Sequence, residues 1–471
     1  MRMLTERASK SPSPAAWRPL AAWVLAAALG ALALPPVAAL TAQAPVSRTA
    51  VASLQAVDTL KQVTEFEVNG LKVLVKRREG SQTVAAALFL RGGARNITAQ
   101  NAGIETLMLD MASEATATFP RERLRRELAR TGTVINAGVN RDYSGLTLGS
   151  TRQYFDRAWE IFTDAALHPS LAPDDFERIK KQELISLSDD EDTPDSFLQT
   201  LIARQIYAGH PYLNNPHGTT ETMTRLTLAD LKRYHEQMMQ TSRLLLVVVG
   251  DIDPKALQPK VAASFGKLPR GDYKATPLAA LSFPAPTVSV TTRALPTNYV
   301  QGTYAAPALT SPDIYPMRVA TSILRERIFD EVRVKRSLSY APDVFLSSQA
   351  ANTGGLYVTA VDANLTAKVM LNEVARIQQE LTSPDEITAV AQQFLTTYYM
   401  GQETNAAQTG ELAEYELIGG GWRNSADFLA RLRAVTPEEV RRVANTYMRN
   451  MQFVVVGNPQ SVDRQIFTKN P

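Results

Sequence analysis

The sequence predicts an α+β protein of two similar halves, each a β-sheet with helices packed on one face. Two observations carry this. A helix-then-strand unit occurs twice, roughly two hundred residues apart, which marks an internal duplication. Strand patterns open each half and helical patterns follow, so both kinds of element are mixed within each half. With 471 residues, 45% hydrophobic and 21% charged, the chain has globular composition and enough apolar material for two cores.

The repeated unit is the clearest signal. Leu226 to Arg233 precedes Leu246-Val247-Val248-Val249-Gly250-Asp251, and Val435 to Arg442 precedes Phe453-Val454-Val455-Val456-Gly457-Asn458. Thr436 is placed as an N-cap, Pro437 as the first helical residue and Glu439 as the reciprocal capping partner. Thr227 and Asp230 repeat that spacing with a shorter acid. The Val-Val-Val-Gly runs are too short and too β-branched for helices and predict buried strands. Two unrelated helix–strand units are the plainer alternative to duplication.

Along the chain, Arg2, Arg7, Lys10 and Arg18 lead into an apolar run from Leu20 to Leu34. Candidate cleavage sites follow at Val37-Ala38-Ala39 and Ala42-Gln43-Ala44, so residues 1–44 are expected to be a secretory signal; an uncleaved anchor is the alternative. The four basic residues against Glu6 account for the whole net charge of +3, so the body is near neutral. Nothing therefore points to nucleic acid, or to a membrane once the signal is removed. Glu65 to Arg77 alternates around an Asn69-Gly70 hairpin turn, and Val84 to Leu90 reads as a strand. Gly103 to Met111 puts Ile104, Leu107, Met108 and Met111 on one helical stripe. Pro269 to Pro286 is polar and proline-containing, as a linker is. Beyond it, Val288–Thr292 and Tyr299–Tyr304 read as strands, and Met317–Lys335 and Thr366–Leu381 as helices. The expected domains are thus 45–268 and 287–471, joined by 269–286.

The absence of cysteine excludes disulfides, thiolate ligands and a thiol nucleophile. The four histidines, His168, His210, His217 and His235, include no pair at helical ligand spacing, and each is read as structural or solvent-facing.

The Gly103–Met111 segment resembles the stretch that carries the inverted zinc motif His-x-x-Glu-His in the pitrilysin/insulinase family of zinc peptidases. There two histidines bind zinc and the glutamate is general base. Laid on that motif, the three positions are Thr106, Leu109 and Asp110, all changed. Glu183 matches the family's third ligand. The resemblance therefore implies no metal in this chain and no peptidase acting alone, since one or two carboxylates make a poor zinc site and Leu109 moves no proton. Arg333 and Tyr340 resemble the family's Arg-x6-Tyr element, which orients the scissile carbonyl and stabilises its developing charge. From spacing alone, a surface helix end is the other reading of this pair. Val134-Ile135-Asn136-Ala137 resembles the edge strand that pairs with substrate backbone, with Ile135, Asn136 and Ala137 as contacts.

Taken over Glu65 to Asn458, the resemblance implies mainly antiparallel sheets in two homologous domains arranged as a clam-shell. It also implies a non-catalytic subunit of a heterodimeric peptidase, secreted to the bacterial periplasm. The partner is a paralogous subunit that bears the motif and the zinc, and the substrate is an unfolded peptide. A peptide-binding or scaffold protein, as in the core subunits of the respiratory cytochrome complex, is the second reading. A peptidase using Asp110, Glu183 and a further ligand is the third.

Overall fold

The computed structural model describes residues 59–469, so the expected signal segment lies outside the described residues. These residues belong to one compact unit, Ala56–Pro471. Strands β1 (Val63–Val68) and β2 (Leu71–Arg77) form the expected hairpin, with Asn69 at φ 48° and Gly70 at φ 86° as its turn residues. With β3 (Thr83–Arg91), β4 (Val134–Val139), β5 (Tyr143–Thr151) and β6 (Leu244–Gly250) they make a six-stranded sheet in the order β1-β2-β6-β3-β5-β4. The second half forms a five-stranded sheet, β7-β11-β8-β10-β9, from β7 (Thr287–Thr292), β8 (Asn298–Ala305), β9 (Asp343–Leu346), β10 (Thr353–Ala360) and β11 (Gln452–Gly457).

Leaving out β1, the two strand orders are the same. Each sheet has one parallel pair, β2 with β6 and β7 with β11, and is otherwise antiparallel. The Val-Val-Val-Gly runs fall on β6 and β11, in equivalent places. The helices before them, Leu228–Met238 and Pro437–Tyr447, both start in full capping boxes, at Thr227 with Asp230 and at Thr436 with Glu439. Local sequence and topology therefore repeat together.

Each half packs its own helices on one face of its sheet. On the other face a helix is exchanged between halves. Leu246 and Val248 of β6 face their own half's helices, among them Leu107, Met108 and Leu231. Their neighbours Leu245, Val247 and Val249 point the opposite way, with Leu74, Ala87 and Phe89, onto Leu412 and Ala413 of helix Asn405–Ile418 and onto Trp422. Reciprocally, Val454 and Val456 of β11 meet Leu198, Ile202 and Ile206 of helix Pro194–Ile206. A strand buried on both faces has no use for polar alternation, which is why β6 reads as an unbroken apolar run.

Polar groups fix the exchange. Asn405 donates to the Thr83 carbonyl at 2.6 Å and accepts from Arg78 at 2.6 Å, and Lys72 meets Glu416 at 2.7 Å. Residues 269–286 carry no helix or strand and form a strap across the halves. Ala279 accepts from His210 at 3.1 Å, and Phe283 and Ala285 accept from Asn450 and Gln452 at 2.8 Å. No helix among the described residues is long and apolar enough to cross a membrane.

Candidate functional site

Three features singled out from sequence have distinct surroundings. The first is helix Ile104–Glu114, which carries the motif positions. Thr106 is buried and its hydroxyl donates to the Pro216 carbonyl at 2.9 Å, stapling the helix to a loop 110 residues further along the chain. Leu109 is buried in the core of the first half. Asp110 is half-buried and meets Glu183 from helix Pro173–Asp192. Burial, and then the neighbouring charges of Glu183 and Glu114, push the Asp110 carboxyl up to about 7. Burial also raises the Glu183 carboxyl. Among the described residues, no group of three or more His, Cys, Asp or Glu is placed to hold a metal. With Thr106 committed to a carbonyl, Leu109 to the core and Asp110 to Glu183, the set does not fit zinc.

Two of the four histidines are occupied elsewhere. His210 accepts from the Tyr212 amide at 3.2 Å through Nδ1 and bonds Ala279 through Nε2, and His235 bonds the Ala166 carbonyl at 2.9 Å.

The second feature is β4, the terminal strand of its sheet, paired on one side with β5. Ile135 and Ala137 turn towards the core and pack at its margin, while Val134 is 52% exposed and Asn136 is exposed on the other face. The strand thus offers an open backbone edge beside helix Ile104–Glu114.

The third feature is the Arg/Tyr element. Helix Ile314–Ile328 runs directly into a wider π-helical turn, Phe329–Val334, rather than continuing as one helix to Lys335 as the periodicity suggested. Arg325 ties this helix to β9 through Asp343 at 2.9 Å, and Arg327 grips Glu386 with two nitrogens at 2.9 and 3.1 Å. Past the turn, Ser337 adopts φ 52° and reverses the chain, and the Leu338 amide closes onto the Val332 carbonyl at 2.8 Å. This reversal brings Tyr340 back over Arg333. The guanidinium carbon lies 4.0 Å from the centre of the Tyr340 ring. The neighbouring charges neutralise one another: Lys335 meets Asp330 at 2.7 Å and Glu331 at 2.6 Å, and Arg336 also pairs with Glu331. Arg333 has no such partner among the described residues and is held by aromatic rings alone. Tyr340 is 78% exposed, so its hydroxyl and the guanidinium edge share one open surface.

The structure thus brings Arg333 to Tyr340 and Asp110 to Glu183. It turns Thr106 and Leu109 to structural contacts. Sequence reading missed a buried latch between the halves: Asp142 accepts from the Tyr212 hydroxyl and from the Ala350 amide at 3.1 Å, and the same hydroxyl accepts from the Ala351 amide at 3.3 Å. Burial raises the Asp142 carboxyl. Only its place in an Asn-Arg-Asp-Tyr turn before a strand hinted at it.

Comparison with known proteins agrees in order and extent. Residues 72–220 match the family described as Insulinase (Peptidase family M16), and residues 225–394 match the Peptidase M16 inactive domain. The zinc protease PqqE of Helicobacter pylori is 21% identical over 409 residues, 82% of this chain and 90% of its own. The mitochondrial-processing peptidase subunit beta of Blastocladiella emersonii is 24% identical over 420 residues, covering 84% and 88% of the two chains. The crystal structure of a peptidase M16 inactive domain from Pseudomonas fluorescens superposes with a TM-score of 0.77 at 19% identity, over 84% of this chain and 98% of that one.

Proposed function

We propose, from the premise that this chain belongs to the insulinase family, peptidase family M16, that it is the non-catalytic subunit of a two-chain periplasmic zinc peptidase. The observation that carries this reading is a contrast within one molecule. Thr106 and Leu109 stand at the metal and base positions, whereas Arg333, half-buried and free of counter-charge among the described residues, stacks on the exposed Tyr340. What sets Arg333 apart is that two aromatic rings hold it while its N–H groups stay unpaired among the described residues, the state in which they can donate to a peptide carbonyl.

The chemistry follows from donor geometry. A fixed guanidinium donates N–H groups to the carbonyl oxygen of a peptide, and a phenol donates one more. Both bonds strengthen as that oxygen gains charge in the transition state, so they favour hydrolysis beyond what they contribute to binding. The backbone edge of β4 at Ile135, Asn136 and Ala137 pairs with an extended, unfolded peptide and sets its register. The metal and the general base come from a paralogous partner that bears the zinc motif. That a relative is named as a subunit of a processing peptidase supports the division of labour.

The test is to purify the mature chain alone and with a zinc-motif paralogue from the same source, then measure bound zinc and cleavage of an unfolded peptide. Zinc and cleavage are expected in the mixture alone. Stoichiometric zinc and chelator-sensitive cleavage in the single chain would overturn the proposal; a complex that never cleaves would favour a scaffold.

A further inference from the structure

The Arg333 surface includes one large apolar side chain that the proposed chemistry does not use. Phe329 is 41% exposed, although the core lies one position away. Ile328 and Val332 are fully buried and anchor the inner side of the turn, which leaves Phe329 and Arg333, also four apart, side by side on its outer side. The turn is π-helical, with the Lys335 amide bonded to the Asp330 carbonyl at 2.9 Å. Its wider winding brings residues four apart more nearly into line than an α-helix does. The Arg333 guanidinium carbon accordingly lies 5.0 Å from the centre of the Phe329 ring, in addition to its 4.0 Å approach to Tyr340.

We infer that Phe329 is a positioning residue for Arg333: its ring and that of Tyr340 flank the guanidinium and hold its N–H edge towards a peptide carbonyl. The inference rests on the proposed role of Arg333. An unpaired arginine on a surface samples many rotamers, and each must be given up when it binds. Ion pairing would restrict them too, but it would occupy the donors that a peptide needs. Two aromatic faces restrict the side chain and leave every N–H free, because the attraction is to the face of the cation rather than to its edge. Phe329 has no hydrogen-bonding group of its own, so its effect on a peptide carbonyl passes through Arg333.

Two readouts on the full mature chain test this. In protein carrying 15N-arginine, the Arg333 side-chain N–H resonance, identified by its loss in Arg333→Lys, is expected to be shifted by the rings. It should move towards an ordinary arginine position in Phe329→Leu and stay shifted in Phe329→Trp. Binding of fluorescein-labelled unfolded β-casein, read by anisotropy, is expected to weaken about three- to tenfold in Phe329→Leu. Phe329→Trp should restore it, and adding Phe329→Leu to Arg333→Ala should change nothing further. An unmoved resonance in Phe329→Leu overturns the inference. So do additive losses in the double variant, which would mean that Phe329 touches the peptide directly, and so does normal binding by Phe329→Leu when Arg333→Ala is impaired. If Arg333→Ala itself binds normally, Arg333 does not hold the peptide in the ground state and the inference fails, a result separate from the kcat of the complex, which tests the proposed role of Arg333.

Discussion

Asp110 bears the clearest mark of a changed site. Its carboxyl is raised to about 7 because burial and two neighbouring carboxylates oppose its charge. In the unfolded chain it titrates near the ordinary aspartate value. Between those two pH values the folded state holds more protons, so stability falls as pH rises through the window and the penalty is complete above about 7. Asp110→Asn removes that penalty. Thermal melts should show the variant more stable than the parent at pH 8, by on the order of 1–3 kcal/mol, with the difference shrinking towards pH 4. A parent that gains stability from pH 5 to 8, unaffected by the substitution, would contradict the paired-carboxyl description. That Asp110 and Glu183 belong to one site was legible from position on the family pattern; their raised carboxyls were not, because these depend on burial by a second helix. Likewise the Arg333–Tyr340 spacing was visible, whereas the contribution of Phe329 depends on a π-turn that apolar periodicity cannot distinguish from an α-helix.

Among the elements, the two capped helices and the strands after them were readable because capping boxes and β-branched runs are local signals. Thr436→Ala, which removes the acceptor for the Glu439 amide, should cost about 1 kcal/mol by denaturant unfolding. The exchanged helices Pro194–Ile206 and Asn405–Ile418 were not foreseen. Their apolar residues point across the molecule, and nothing in sequence says which sheet a stripe will meet. The continuous Leu244–Val249 run was the trace of it, since a face covered only by its own half would have left alternate positions polar. Leu198 is fully buried against the other half's sheet, so Leu198→Ala should cost about 2–4 kcal/mol.

For the molecule as a whole, reciprocal exchange means that neither half can bury both faces of its sheet without the other. Calorimetry of the chain is expected to show one cooperative transition rather than two, and Leu198→Ala should lower that single transition. Two separable transitions would mean that the exchanged helices contribute little. One cooperative unit would suit the proposed role of presenting a fixed surface, since a guanidinium placed on a yielding element would lose its alignment. The α+β class and the duplication were legible because each half repeats a pattern; the proposed division of labour rests on what stands at Thr106, Leu109 and Asp110.

The most direct measurement is the turnover of an unfolded peptide by the complex with a zinc-motif paralogue, comparing the parent chain with Arg333→Ala at equal bound zinc. The account predicts a fall in kcat of about a hundred- to a thousandfold with the complex intact. An unchanged kcat would contradict it, leaving this chain as a support for a site that its partner completes alone.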